Sequence, residues 1–82
     1  MKLLTKKEQN EILKRLIANH IIAQYTLDNS DIDAQKYCDS TECLIKNTCD
    51  IANLVGGMKA ILVVQKEIER RMKSLNKIRK GV

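Results

Sequence analysis

The side chains with the widest chemical repertoire in this chain are one histidine, His20, and three cysteines. A histidine can serve as a general base, a metal ligand or a pH switch near neutrality. A catalytic or metal-ligating histidine needs a second catalytic or ligating side chain beside it. The nearby sequence offers no second histidine and no Glu-x-x-His pair. We therefore expect His20 to be a core or subunit-seam residue that makes one hydrogen bond.

The three cysteines are Cys38, Cys43 and Cys49, and they lack the C-x2-C pairs that are typical of zinc sites. On a helix, Cys38 and Cys49 would lie about 16 Å apart along the axis, with Cys43 pointing away from Cys38. They cannot converge on one ion within a chain. An odd number of cysteines is also no disulfide framework. We predict free thiols in a reducing compartment, with no metal and no cofactor.

The acidic run Asp28, Asp31 and Asp33 superficially resembles a calcium-binding loop. Such a loop has glycine at its sixth position and glutamate at its twelfth. Here those positions hold Asp33 and Asp39, so the run is better interpreted as a helix cap. The sequence also lacks a glycine-rich phosphate loop and any motif that sets a nucleophile beside a base. We predict that the chain is not an enzyme.

The elements that carry these residues have the pattern of amphipathic helices. Thr5 with Glu8 forms a Thr-x-x-Glu capping box, which predicts a first helix over about residues 5–27. This helix is apolar over more than half its circumference, with Leu16 and His20 in its apolar arc. A helix of that kind is usually covered on two sides, by its own chain and by another copy.

A second helical region is predicted from about residue 31 to residue 80. The cluster DNSD at 28–31 suits a helix end. Ser30 and Asp33 form a second capping pair, with Asp31 and Asp33 in the first turn, where the helix dipole favours negative charge.

Gly56 and Gly57 interrupt this region, and each glycine costs about 1 kcal/mol inside a helix. Ala52, Gly56 and Ala60 form a line of small residues that would let another helix approach closely. Two arrangements remain open: a continuous or gently kinked rod, which we favour, or a hinge that folds the last segment back. The apolar phase passes through the pair unbroken, at Leu44, Ile51, Leu54, Met58, Ile61, Ile68, Met72 and Leu75.

The predicted fold is a single all-α domain over residues 1–82, with two or three helices in a helical hairpin or coiled-coil-like bundle. A chain of 82 residues buries little of its surface, so self-association is a common way to complete the core. We expect a homo-oligomer, with a dimer favoured. The predicted interface between copies comprises Leu16, His20, Ala52, Gly56, Ala60, Ile61 and Ile68.

Charge is segregated along the chain. Residues 1–27 carry five basic and two acidic groups, residues 28–50 two and six, and residues 51–82 eight and two. The simplest explanation is that the acidic middle faces the basic last segment, within an antiparallel hairpin or in a partner subunit. Basic residues of that last segment share one helix face, which we term the basic stripe: Lys59, Lys66, Arg70, Lys73, Lys77 and Lys80.

Nothing in the sequence indicates a membrane or secreted protein. The N-terminus has too short an apolar region for a signal peptide. The most apolar window, 51–64, spans 14 residues and includes Lys59, which is below the roughly 20 residues of a transmembrane helix. We expect a soluble, cytoplasmic protein.

These features favour binding over catalysis. The leading hypothesis is a small helical oligomer that binds a larger protein as an inhibitor, adaptor or regulator. By analogy of size and composition alone, phages and other mobile elements often encode such chains. One alternative is nucleic-acid binding through the basic stripe, with weak sequence preference. A second is a small anion, such as a nucleotide, held at an oligomer interface.

Overall fold

The computed structural model of the chain describes residues 3–80, and side chains for residues 3–78. Two helices pack against each other: α1 spans Lys6–Asp28 and α2 spans Ala34–Lys80. Residues 3–80 contain no strand. The predicted all-α hairpin is confirmed.

The start of α1 follows the sequence signal. The Glu8 backbone N–H donates to Thr5 Oγ1 at 3.1 Å, and the Thr5 N–H donates to Glu8 Oε1 at 3.0 Å. This capping box satisfies two donors that the first turn of a helix leaves without an intrahelical partner. The same hydrogen bonds lower the pKa of the Glu8 carboxyl, because they favour its ionised form.

The predicted cap of the second helix is wrong in detail. Asp33, not Ser30, is the capping residue, since its Oδ1 accepts from the Lys36 backbone N–H at 2.8 Å. The Ser30 hydroxyl instead donates to the Thr26 carbonyl at 2.5 Å, at the end of α1. The helix therefore begins at Ala34, and Asp31 and Asp33 precede its first turn.

The connection between the helices is fixed by a side-chain network. The Tyr37 hydroxyl donates to Asp28 Oδ1 at 2.5 Å, and Gln24 Nε2 donates to the same oxygen at 2.9 Å. This network joins the last turn of α1 to the first turn of α2. The Asp28 carboxylate raises the pKa of the Tyr37 phenol, because it accepts the phenol's proton in a hydrogen bond.

The chain reverses direction at Gly57, inside α2. This residue has φ 71° and ψ −156°, far from helical values. A straight helix of 47 residues would be about 70 Å long, whereas the longest extent of the molecule is 45 Å. Gln65 Nε2 lies 3.5 Å from Cys49 Sγ, although sixteen residues of continuous helix would place them about 24 Å apart.

The favoured rod is therefore wrong, and the hinge that folds the last segment back is correct. We refer to residues 34–56 as the N-terminal arm of α2 and residues 58–80 as its C-terminal arm. Together with α1, the two arms form three helical segments around one core.

That core is small. Its buried apolar residues are Ile17 from α1, Ala52 from the N-terminal arm, and Ala60 and Val64 from the C-terminal arm. Val64 is the largest fully buried side chain in the described part of the chain. Five half-buried residues pack around this centre: Leu13, Leu16, Ile21, Ile61 and Ile68.

The conformation of Gly57 yields a prediction whose sign distinguishes the reversal from a rod. Gly57→Ala should lower the free energy of unfolding by about 1–3 kcal/mol, because its backbone region is essentially restricted to glycine. An added Cβ would meet no atom within 4 Å, so the cost comes from the backbone alone. In a continuous helix the same change would stabilise by about 1 kcal/mol.

Urea denaturation measures both cases. Asn53→Ala, an exposed change in the N-terminal arm, is the matched control and should be neutral or slightly stabilising. A stabilising effect of Gly57→Ala would contradict the reversal.

Candidate functional site

The one histidine lies in the core and makes the single hydrogen bond expected from the sequence. His20 is 5% exposed, and its Nδ1 is 2.6 Å from the Oγ1 of Thr48, which is 4% exposed. Burial lowers the pKa of the imidazole, because the charged form loses hydration. The His20–Thr48 hydrogen bond therefore joins α1 to the N-terminal arm.

Thr48 was missed as the partner of His20, although a signal was present. It lies between Leu44 and Ala52, four residues from each, and so occupies the apolar stripe of its helix. A hydroxyl in one apolar stripe is a natural partner for a histidine in another, because buried polar groups need hydrogen bonds.

The small-residue line serves packing within the chain. Ala52 is fully buried and Ala60 is 6% exposed, both in the chain's own core. A Cβ added to Gly56 would lie 2.9 Å from the Cβ of Ala60, so this glycine permits a close approach. In this fold His20, Ala52 and Ala60 offer almost no surface to another copy. Gly56, the fourth member of the predicted interface near this line, is exposed. The interface itself stays a prediction.

Leu16, Ile61 and Ile68, also predicted at an interface, are half-buried against the core. Other large apolar side chains are more exposed, including Leu3, Ile22 and Ile78, and four of them lie close to Gly57 in the sequence. Leu54 is 84% exposed, Met58 69%, and Leu62 and Val63 58% each. They lie on either side of Gly57, and we call them the corner patch. The apolar phase that passes through the glycine pair thus includes Leu54 and Met58 on the surface, not in the core.

The basic stripe faces solvent along the C-terminal arm. Lys59, Lys66, Lys73 and Lys77 are exposed, and the Arg70 side chain is 68% exposed. The side chain of Lys80, the last predicted member, lies outside the described residues. The arrangement predicted from the spacing is present for the other five.

One carboxylate within the C-terminal arm partly neutralises this positive charge. Glu67 accepts from Arg70 at 2.5 Å and from Arg71 Nε at 2.8 Å. These guanidinium groups lower the pKa of Glu67 to about 2, so it stays ionised at any physiological pH. The pKa of Arg70 is raised by the same contact.

The acidic middle of the chain does not neutralise the stripe by contact. Within the described side chains, the salt bridges are those of Glu67 with Arg70 and Arg71, and none joins the two arms. No salt bridge between the acidic and basic segments is therefore present among the side chains of residues 3–78. Pairing with a partner subunit stays a prediction.

The cysteines do not converge. Cys38 and Cys43 are exposed, Cys49 is half-buried, and all three are free thiols. Across residues 3–78, no cluster of three or more His, Cys, Asp or Glu side chains is placed to hold a metal ion. No helix in the described range is long and apolar enough to cross a bilayer.

The sequence matches no protein-family model, and neither a curated protein nor a solved structure shows significant similarity to it.

The His20–Thr48 pair predicts strongly coupled substitutions. His20→Leu should leave the Thr48 hydroxyl buried without a partner, and Thr48→Val should do the same to Nδ1, each lowering the free energy of unfolding by about 1–3 kcal/mol. The double variant should recover most of that loss, because neither polar group remains. Urea denaturation of the four proteins measures the coupling. Strictly additive losses would contradict it.

The same pair makes stability depend on pH. Because burial lowers the pKa of His20 below its ordinary 6.5, the unfolded chain takes up a proton before the folded chain does. The contribution of the neutral ring is therefore complete above pH 6.5 and falls as the pH drops below that value. Thermal denaturation between about pH 8 and pH 5 should show this decline. The double variant should be flatter there, and an equal decline would exclude His20 as its source.

Proposed function

We propose that this chain is a non-catalytic helical binding protein that self-associates and binds a larger protein as an inhibitor, adaptor or regulator. The observation that carries the proposal is the corner patch, four large apolar side chains on either side of Gly57 that are 58–84% exposed. Leu54 is 84% exposed and Met58 is 69% exposed, so neither side chain contributes to the hydrophobic core of the chain.

The total surface supports the same conclusion. The chain exposes 6614 Å², whereas a compact folded monomer of 9.4 kDa exposes about 5,000 Å². A standard protein interface covers about 800 Å² on each partner. The surplus is therefore large enough for one such interface.

Substitution of the corner patch tests the proposal. Leu54→Gln with Leu62→Gln should leave folding intact, since both side chains are mostly exposed. We expect the dissociation constant for self-association to rise about tenfold or more, as loss of apolar anchors does at interfaces. Size exclusion with light scattering over a concentration series measures it, and affinity capture with the same variants measures partner binding.

Ile78→Gln is the matched control, because Ile78 is 66% exposed but lies near the other end of the C-terminal arm. It should leave both assays unchanged. A wild-type chain that is monomeric at all concentrations and captures no protein that the corner variant loses would refute the proposal.

Nucleic-acid binding is a second candidate, and the unpaired lysines of the basic stripe favour it. Lys59, Lys66, Lys73 and Lys77 are exposed and have no carboxylate within salt-bridge distance among the described side chains. A row of this kind can contact phosphates, with affinity that falls steeply as salt rises.

Purification at low and high salt, with absorbance read at 260 and 280 nm, separates the two candidates. The chain has two tyrosines and no tryptophan, so bound nucleic acid is conspicuous. Material absorbing at 260 nm that high salt removes, and that Lys66→Glu with Lys73→Glu abolishes, would favour this second function. A clean oligomer at both salt concentrations would exclude it as the main one.

A further inference from the structure

A cleft of about 300 Å³ opens where α1 meets both arms of α2. Its apolar walls come from Ile45 on the N-terminal arm and from Ile68 and Met72 on the C-terminal arm. The remaining lining residues are His20, Gln24, Thr48, Cys49, Gln65 and Glu69. An apolar cavity of about half this volume holds a benzene molecule, so the cleft has room for one aromatic ring.

The buried histidine is one of several polar residues that line this cleft, and the others include Gln24, Gln65 and Glu69. Neutral imidazole has one donor and one acceptor nitrogen, and Nδ1 of His20 is engaged by Thr48. The other nitrogen, Nε2, has no hydrogen-bond partner among the described side chains. Among the described side chains, the nitrogen or oxygen atom that is both enclosed and without a hydrogen-bond partner is Thr41 Oγ1. Nε2 is therefore not fully enclosed, and His20 lines the cleft.

The hydrogen-bond pattern also sets the direction of the His20–Thr48 bond. The Thr48 hydroxyl carries one proton, and Nδ1 is its one acceptor among the described residues. If Nδ1 donated instead, that buried hydroxyl proton would lack an acceptor, at a cost in free energy. Thr48 therefore donates to Nδ1, and Nε2 carries the imidazole proton. At Nε2 the cleft therefore offers a hydrogen-bond donor.

We propose that this cleft receives a tyrosine side chain of the protein partner, with the phenol oxygen accepting a hydrogen bond from His20 Nε2. A phenylalanine ring would fill the apolar walls but leave the donor unpaired, and tryptophan offers a donor in place of an acceptor. The cleft is open on one side, which suits a side chain presented by a protein surface. This inference rests on the proposed function, because it names the group by which the partner is recognised.

The single histidine makes the test direct, since one imidazole gives one set of NMR signals. The probes are N-acetyl-tyrosinamide and N-acetyl-phenylalaninamide, titrated into protein labelled with ¹⁵N at histidine. We expect the free protein to show the proton on Nε2. The tyrosine amide should shift the Nε2 signal with a dissociation constant of order millimolar, as befits so small a ligand. The phenylalanine amide should bind about fivefold more weakly, the ratio that one net hydrogen bond gives.

Matched variants locate the site. Ile45→Glu should weaken binding of the tyrosine amide at least fivefold, because it places a charge in the apolar wall. Ile51→Glu is the control: both isoleucines lie on the N-terminal arm, at 46% and 43% exposure, but only Ile45 lines the cleft. Ile51→Glu should leave the affinity unchanged.

Three results would overturn the inference: no shift of the Nε2 signal at tens of millimolar tyrosine amide, equal affinity for the two amides, or equal loss in both variants. Should Ile45→Glu fail to fold, the comparison of the two amides on the wild-type chain still decides. If the tyrosine amide does not bind but the corner-patch variant still weakens self-association, the proposed function stands and only the tyrosine inference is wrong. If the corner patch does not govern association but the tyrosine amide binds, the cleft is a binding site and the proposed function is wrong.

Discussion

The rest of the structure depends on the backbone of one residue, Gly57. Its dihedral angles lie in a region that essentially only glycine adopts. The reversal there brings Ala60 and Val64 into the same core as Ala52 and Ile17. Without it, α2 would be a rod whose two halves never meet, and both the core and the cleft beside His20 would be lost.

The small core explains why a polar pair sits within it. Small buried residues such as Ala52 and Ala60 allow close approach but specify the relative positions of helices weakly, because they present few shaped contacts. The hydrogen bond between Thr48 and His20 is buried and geometrically demanding, so a shifted register of α1 on the N-terminal arm would leave two polar groups unsatisfied. The pair thus adds specificity that the apolar contacts lack.

Local signals in the sequence predicted the helices and the first helix cap well. They did not determine how the helices pack against one another. The capping box at Thr5 and the helical periodicity were legible, because each depends on neighbours in the chain. The burial of His20 was expected from the apolar arc of its helix, but its partner Thr48 lies 28 residues away and was not identified. The reversal was left open as the less favoured arrangement, because antiparallel arms need the same apolar spacing as a rod and the phase passes through Gly57 unchanged. Exposure of Leu54 and Met58 likewise depends on which face meets α1, and spacing alone leaves that open.

In the proposed function, the corner patch on either side of Gly57 and the basic stripe of the C-terminal arm would contribute to binding in different ways. Leu62 and Val63 lie within three residues of Lys59 or Lys66, so a partner that covers the corner patch also meets the first lysines of the basic stripe. Exposed lysines contribute little affinity in water but speed encounter with an acidic surface and fix its orientation. Apolar side chains supply the free energy of association. A partner that combines apolar and acidic surface would therefore satisfy both regions in one orientation, whereas a polyanion would use the stripe and leave the corner patch uncovered.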